Sequence, residues 1–354
     1  MTTAEATRQL KYLQAIREAT DLCMEADARV QIMGLGVPDP KGIFGTTLGL
    51  QAKYGSERVS DLPTSENAMA GVAIGCALAG MRPIVTHHRL DFALLAMEPL
   101  INQAAKWHYM FGGRARVPLV VRMLVGRGWG QGPQHSQSLQ AWFAHVPGLK
   151  VVMATTPYDV KGLLIASIED DNPVVFIEHR WLYNLSGAVP EGLYRVPIGR
   201  ARVMREGSDL TIVATSYMAV EALRAAAWLG DHGIGVEVVD VRSLRPWDDT
   251  TILDSVARTR RVIVTDTGWA TVGFSAEVVA RIAEQGIPLA TPPRRVCLPD
   301  CPTPTSPALA AHYYPRAIDL VRVASRMLDV ALPEWRDIPL AHLDVPDPSF
   351  TGPF

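Results

Sequence analysis

The feature that most constrains this chain is a series of near-continuous Val/Ile/Leu runs separated by segments of helix length. Runs at 29–37, 82–87, 118–125, 149–154 and 173–177 place apolar residues at successive positions instead of alternate ones. A strand with one wet face alternates, whereas a strand covered on both faces does not. These runs therefore read as parallel strands between layers of helix. Segments 65–79, 95–110 and 157–169 are long enough for crossover helices, after a helical opening over 12–26. A strand at 58–62 turns into the first of them, with Ser65 or Thr64 as the expected N-cap and Glu66 in the first turn.

A mixed loop at 177–197, with Gly187, Pro190, Gly192 and Pro197, interrupts the pattern, and a second series follows. Strands are expected at 209–215, 236–241, 261–266 and 294–298, with helices at 218–229, 250–259, 275–285 and 317–327. The fold class is α/β, with two domains, each a mainly parallel sheet flanked by helices. The boundary falls near residue 190, giving domains 1–190 and 191–354. A tail rich in proline (Pro333, Pro339, Pro346, Pro348, Pro353) reads as an extended strap.

Composition narrows the function classes. The 34 Lys+Arg against 36 Asp+Glu leave a net charge of −2, so no surplus of cations is available to displace counterions from nucleic acid. No apolar run approaches the ~18 residues of a membrane span, and the polar start Met1-Thr-Thr-Ala-Glu5 lacks the marks of a signal peptide. A cytoplasmic protein is expected, without membrane or nucleic-acid partners. Cys23, Cys76, Cys297 and Cys301 are too scattered for a disulfide framework. Cys297-Leu-Pro-Asp-Cys301 lacks the second ligand pair of a closed zinc site.

Several segments carry candidate chemistry. Gly126-Arg-Gly-Trp-Gly-Gln-Gly-Pro133 follows a strand but matches neither the dinucleotide fingerprint nor the phosphate loop. It is followed by Gln134 and His135. The histidine is either a proton donor or acceptor titrating near neutrality, or a loop residue bonded to backbone. Glu66 is either a first-turn carboxylate favoured by the helix dipole or a partly desolvated carboxylate aimed at a ligand. His87-His88-Arg89 closes a strand. Neighbouring strand residues face opposite ways, so substrate or interface contacts suit these three better than one shared metal ion. Asp170-Asp171-Asn172 reads as a helix-ending turn or as a loop presenting oxygens to a cation.

Taken together, the sequence resembles the β subunit of the two-chain, thiamine-diphosphate-dependent 2-oxoacid dehydrogenase E1 component, of the pyruvate, branched-chain and acetoin type, in the transketolase superfamily. The likeness spans about Tyr12 to Val323. It rests on Pro63-Thr-Ser-Glu66, Ala70-Gly-Val-Ala-Ile-Gly75, Gly80-Met-Arg-Pro83, Tyr109-Met-Phe-Gly-Gly113, His135-Ser-Gln137, Thr156-Pro-Tyr-Asp159, Asp171-Asn-Pro-Val-Val175, Val239-Asp-Val-Arg-Ser-Leu244 and Pro302-Thr-Pro304. The resemblance implies a pyrimidine-binding domain followed by a transketolase C-terminal domain. It places Glu66 at the carboxylate that bonds N1′ of the cofactor's aminopyrimidine, and Phe92 at the aromatic that packs on that ring. It places His135 facing the substrate and the acyl acceptor. Leu119, Ser167, Ile168, Asp170 and Asn172 fall on positions that hold a structural potassium ion in some relatives, mostly through backbone carbonyls.

Departures from the family pattern are informative. Gly34-Leu35-Gly36 stands where an acidic pair is common, and His87, His88 and Arg89 stand where the family has neutral or aromatic residues. With Gln134, these three are substrate-side candidates, and they point to a more polar substrate than pyruvate. The chain has no Gly-Asp-Gly, the stretch that with a later Asn holds Mg2+ and the diphosphate in such enzymes. An α-type partner is therefore implied, in an α2β2 heterotetramer. The leading expectation is oxo-acid decarboxylation with acyl transfer to the lipoyl group of an E2 acyltransferase. The alternative is one half of a split transketolase or carboligase, and the third reading is a non-catalytic scaffold subunit.

Overall fold

The structure is a computed structural model that describes residues 8–128, 130–333 and 335. Trp129 and the tail prolines Pro339, Pro346, Pro348 and Pro353 lie outside the described residues. The chain forms two compact units. The first runs to Val125 and resumes over Trp142–Ile198; the second takes Gly126–Ala141 and resumes at Gly199.

The first unit contains β1 (Gln9–Lys11), β2 (Val30–Gly34), β3 (Val59–Asp61), β4 (Arg82–His87), β5 (Val120–Val125), β6 (Lys150–Val152), β7 (Val174–His179) and β8 (Ser186–Ala188). Six of these strands pair in parallel, in the order β6-β7-β5-β4-β2-β3. Every residue of β2, β5 and β7 is buried, as expected for strands covered on both faces. The helices Tyr12–Ala26 and Pro157–Glu169 pack together on one side. Between them, the fully buried Lys161 ammonium donates to Glu18 and to the Pro190 carbonyl, each at 2.6 Å.

Three expectations in this unit needed correction. The single helix expected over 95–110 is a 3-10 turn (Leu94–Ala96), a π-helical stretch (Pro99–Ala104) and a helix (Ala105–Met110). Pro99 has no N–H to donate, so the ladder restarts there in a wider winding. The loop expected from 177 onward is partly regular. β7 continues to His179 because the charged Glu178 is buried against Arg122, and β8 pairs antiparallel with β1. Ser65 occupies the N-cap position, but its hydroxyl makes no capping bond.

The second unit contains β9 (Arg202–Arg205), β10 (Leu210–Ala214), β11 (Val236–Asp240), β12 (Ser243–Arg245), β13 (Val262–Trp269) and β14 (Arg294–Leu298). Its five-stranded sheet runs β14-β13-β10-β11-β9, parallel except for the edge strand β9, which is half exposed and polar. Both units are thus mainly parallel sheets flanked by helices. Among the described residues, no helix is long and apolar enough to cross a membrane.

Candidate functional site

Open parallel sheets present ligand sites outside the carboxyl ends of their strands. In the first unit, the exits of β3 and β4, one strand apart across β2, carry most of the sequence candidates. β3 ends at Asp61, and after a short turn the helix Glu66–Leu78 begins at Glu66. The Glu66 side chain is half-buried, and among the described residues no hydrogen bond or ion pair engages it. Its carboxylate is therefore held by the helix start, not consumed by capping.

β4 ends at His87, whose ring is buried and whose Nε2 has no hydrogen-bond partner. Burial, and to a smaller extent neighbouring His88, pushes its pKa down to about 4, so the ring is neutral. His88 turns the other way. Its Nε2 bonds the Leu35 carbonyl, while Asp39 and Asp61 lie near enough to act on it. Gly36 donates its N–H to Asp61 at 2.8 Å, so the segment that lacks the family's acidic pair is anchored through backbone. Gly34 is required there, since a Cβ would lie 2.4 Å from Thr86 Oγ1. Arg89 is buried, and Phe92, in the short helix Leu90–Ala93, leaves its ring exposed.

Two residues that sequence reasoning missed complete this edge. The strand pairing sets His87 opposite Met123 and His179 opposite Val125. Met123 and Val125 are two apart on β5, so the imidazoles of His87 and His179 leave the same face of the sheet. Burial, followed by the charge of Arg89, pushes the His179 pKa down to about 3. Arg180 lies over the Phe44 ring at 4.6 Å, and that ring is 6.4 Å from His88. Ile43 and Phe44 are both left-handed, at φ 39° and 58°, a strained conformation for a β-branched residue. The signal for His179 and Arg180 was hidden because the apolar run stops two residues short of the strand's end.

Gln134 and His135 belong to the second unit. Both are exposed, and the His135 N–H donates to the Gly132 carbonyl at 3.2 Å. The loop is fastened at both ends. Buried Arg127 donates to the carbonyls of Gln131, at 2.9 Å, and Thr305. At the other end, Gln140 Nε2 donates to Asp266 Oδ1 at 2.8 Å, which also accepts from Thr215 Oγ1 at 2.7 Å. Burial raises the Asp266 pKa despite those bonds. Gly132 admits no side chain, because a Cβ would lie 2.1 Å from Thr305 Oγ1.

Comparison with known proteins identifies the scaffold. The transketolase pyrimidine-binding domain matches residues 8–186, and the transketolase C-terminal domain matches 199–319. The β subunit of acetoin:2,6-dichlorophenolindophenol oxidoreductase from Cupriavidus necator is 43% identical over 332 residues, 91% of this chain and 98% of the relative. The chain belongs to the E1 β-subunit family of the 2-oxoacid dehydrogenases. The Bacillus subtilis protein of the same name as the Cupriavidus relative is 39% identical, over 91% of this chain and 98% of its own. The mitochondrial pyruvate dehydrogenase E1 β subunit of Drosophila melanogaster is 40% identical, over 92% and 91%. A solved split-gene transketolase, an inactive β4 tetramer, is 23% identical with a TM-score of 0.73, over 91% of this chain and 99% of that one. That likeness concerns the fold. As an E1 β-type chain, the protein is one part of a heteromeric thiamine-diphosphate enzyme.

In this E1 β-type chain, the five positions considered for potassium surround the turn between the helix Pro157–Glu169 and β7. The carbonyls of Ile168 and Asp170 accept from Arg82 at 3.1 and 3.0 Å, and the Leu119 carbonyl accepts from the Val174 N–H at 2.9 Å. Lys150 pairs with the Asp170 carboxylate. The Ser167 hydroxyl donates to the Leu163 carbonyl at 2.7 Å. Asn172 Oδ1 is buried there without a hydrogen-bond partner, an oxygen suited to a cation. Among the described residues, no cluster of three His, Cys, Asp or Glu side chains offers a separate metal site.

Proposed function

We propose that this chain is the β half of an E1 enzyme that decarboxylates a 2-oxo acid and transfers the acyl group to the lipoyl arm of an E2 partner. The observation that carries the reading is Glu66: a half-buried carboxylate at the head of a helix, on the carboxyl edge of the sheet, with no described partner. This is what an aminopyrimidine N1′ needs. Thiamine diphosphate supplies, when bound, a carbon nucleophile that makes the bond next to a carbonyl breakable. Glu66 holds a proton at N1′, and Phe92 offers its exposed ring face to the pyrimidine. His135 gives or takes a proton at the substrate oxygen or the acyl acceptor. His87, His88 and Arg89 of the first unit are substrate-side residues, and Gln134 is a substrate-side residue of the second.

The chain holds only half of such a site. It has no Gly-Asp-Gly stretch, so an α subunit supplies the Gly-Asp-Gly…Asn ligands for Mg2+ and diphosphate, in an α2β2 assembly. The helix Glu66–Leu78 supports this. It is apolar around its circumference, yet Val72 is 51% exposed, and beside Gly71 and Gly75 there is open space. An apolar helix face left uncovered fits a partner subunit. Potassium, held by the Leu119, Ser167, Ile168 and Asp170 backbone with Asn172 Oδ1, steadies the turn before β7. Residues 1–190, apart from the 126–141 loop that belongs to the second unit, serve as the pyrimidine-binding domain and 191–354 as the C-terminal domain, and the enzyme works in the cytoplasm.

The test is co-expression with the α partner and assay with thiamine diphosphate and Mg2+, following dye reduction driven by short 2-oxo acids. Turnover that Glu66→Gln abolishes, along with cofactor C2 proton exchange, is the expected result. Ketol transfer to an aldehyde without dye reduction overturns the dehydrogenase reading. Undiminished C2 exchange in the variant overturns the role of Glu66.

A further inference from the structure

The second sheet reverses its strand order between β10 and β13: from β10 the chain moves outward to β11, then crosses back to β13 and on to β14. In an open parallel sheet, the crevice above such a reversal is where a ligand is expected. Here the chain places one of its own side chains there. Thr215 follows β10 and Asp266 lies in β13, each one position beyond the paired Ala214 and Thr265. Asp266 Oδ1 accepts from Gln140 Nε2 at 2.8 Å and from Thr215 Oγ1 at 2.7 Å, and the carboxylate also takes the N–H groups of Thr267 and Gly268. A Cβ on Gly268 would lie 3.0 Å from both Asp266 Oδ2 and Gln140 Nε2, so even a methyl group is tight beside this bond.

Four neutral donors converge on the carboxylate, and they require a group that only accepts. The bond to Gln140 is charge-assisted and buried, which makes it strong and costly to leave unmade. Its place in the chain gives it a use. Pro133, Gln134 and His135 are exposed, and the chain then turns inward, with Ser136, Ser138, Leu139 and Gln140 all buried. Ser136 Oγ and Ser138 Oγ have no hydrogen-bond partner, so neither hydroxyl fixes this descent. Gln140 does so, five residues from His135, while the close approach of Gly132 to Thr305 fixes the other side. We infer that Asp266, with Gln140 and Thr215, positions His135: the carboxylate holds Gln140 and through it sets where the imidazole meets the substrate. This inference rests on the role proposed for His135, but the hold on the loop can be read without turnover.

The test compares the α/β complex as wild type, Gln140→Ala, His135→Ala and the exchanged pair Gln140→Glu with Asp266→Asn. In the exchanged pair the new amide donates to the new carboxylate, so the bond is kept with its partners reversed. The first readout is backbone hydrogen exchange over 133–139. The second is kcat for acyl transfer to a lipoyl acceptor, with KM and cofactor C2 proton exchange measured alongside. Gln140→Ala is expected to speed hydrogen exchange and to lower kcat, each at least about tenfold, while KM and C2 exchange are kept. The exchanged pair is expected to recover most of both. Unchanged hydrogen exchange in Gln140→Ala overturns the inference, as does a kcat kept in Gln140→Ala while His135→Ala loses it. A folded exchanged pair that recovers neither readout overturns Asp266 as the anchor. Wild-type transfer by His135→Ala overturns the role of that histidine, and no transfer by the wild type overturns the E1 reading. In both cases hydrogen exchange alone decides the hold on the loop.

Discussion

The ion pair beneath the candidate site offers the sharpest stability prediction. Arg122 on β5 and Glu178 on β7 are both fully buried, with Nε–Oε1 at 2.6 Å and Nη2–Oε2 at 3.1 Å. Tyr183 adds its hydroxyl to Oε2 at 2.6 Å. Burial works against the charge on Arg122, but Glu178 more than offsets it, and the guanidinium pKa ends above its ordinary value. Glu178→Ala would leave that guanidinium buried without its counterion. Breaking such a pair from one side destabilises by about 3–5 kcal/mol. At about 2–4 °C per kcal/mol for a unit of this size, the melting midpoint should fall by roughly 6–20 °C. The complementary variant removes both charges: Arg122→Met with Glu178→Leu should recover most of the loss, since a well-packed apolar pair is close to neutral. Circular dichroism melts of the three proteins decide the matter. A drop under about 2 °C for the single variant, or a double variant as unstable as the single one, would refute the argument that the uncompensated charge is what matters.

Other outcomes follow from the same geometry. Gly132→Ala should displace the His135 loop and slow acyl transfer, because its Cβ would meet Thr305 Oγ1 at 2.1 Å. Thr305→Ala added to it should restore much of the rate, leaving the Thr305 Cβ at 3.2 Å and its Cα at 3.5 Å, and no restoration would rule out this clash as the cause. His87 and His179 are pushed from 6.5 down to about 4 and about 3, so below pH 6.5 the unfolded chain takes up protons that the folded chain refuses. Stability is therefore full above pH 6.5 and falls on acidification, by about 2 kcal/mol per histidine at pH 5. Urea midpoints at pH 7 and 5 should differ less in His87→Leu than in the wild type; an unchanged difference contradicts this. Asn172→Ala should abolish any gain in melting temperature on exchanging Na+ for K+, and a gain that persists in the variant removes Asn172 from the cation site.

Much of the architecture was legible in the residues because it follows from short-range pattern. The helices Tyr12–Ala26 and Pro157–Glu169 and the strands β4 and β14 stand where the apolar runs and turn residues put them. The edge strands β1, β8 and β9 were not legible. Two are three residues long and the third is polar, and what defines them is a partner strand far away in the chain. Glu66 and His87 to Arg89 could be singled out because each lies within a few residues of a recognisable strand or helix end, whereas Phe92 was marked only by the family resemblance. His179 and Arg180 could not, since Glu178 ends the apolar run and only its pairing with Arg122 keeps the strand going.

The sequence by itself determined the alternation of buried strands and covering helices and the missing Gly-Asp-Gly, while its resemblance to the E1 β family marked Glu66, Phe92 and His135 as site candidates. The alternation is a property of neighbours in the chain, set by periodicity and composition. Only the tertiary structure decided that the loop carrying His135 belongs to the second unit, fastened by Arg127 and by Gln140 on Asp266. Only the strand register put His87 and His179 on one sheet face. Hydrogen bonds and register join residues 36 to 178 positions apart, and no local pattern specifies which of the possible pairings yields the most burial while partnering buried charges such as Arg122 and Glu178.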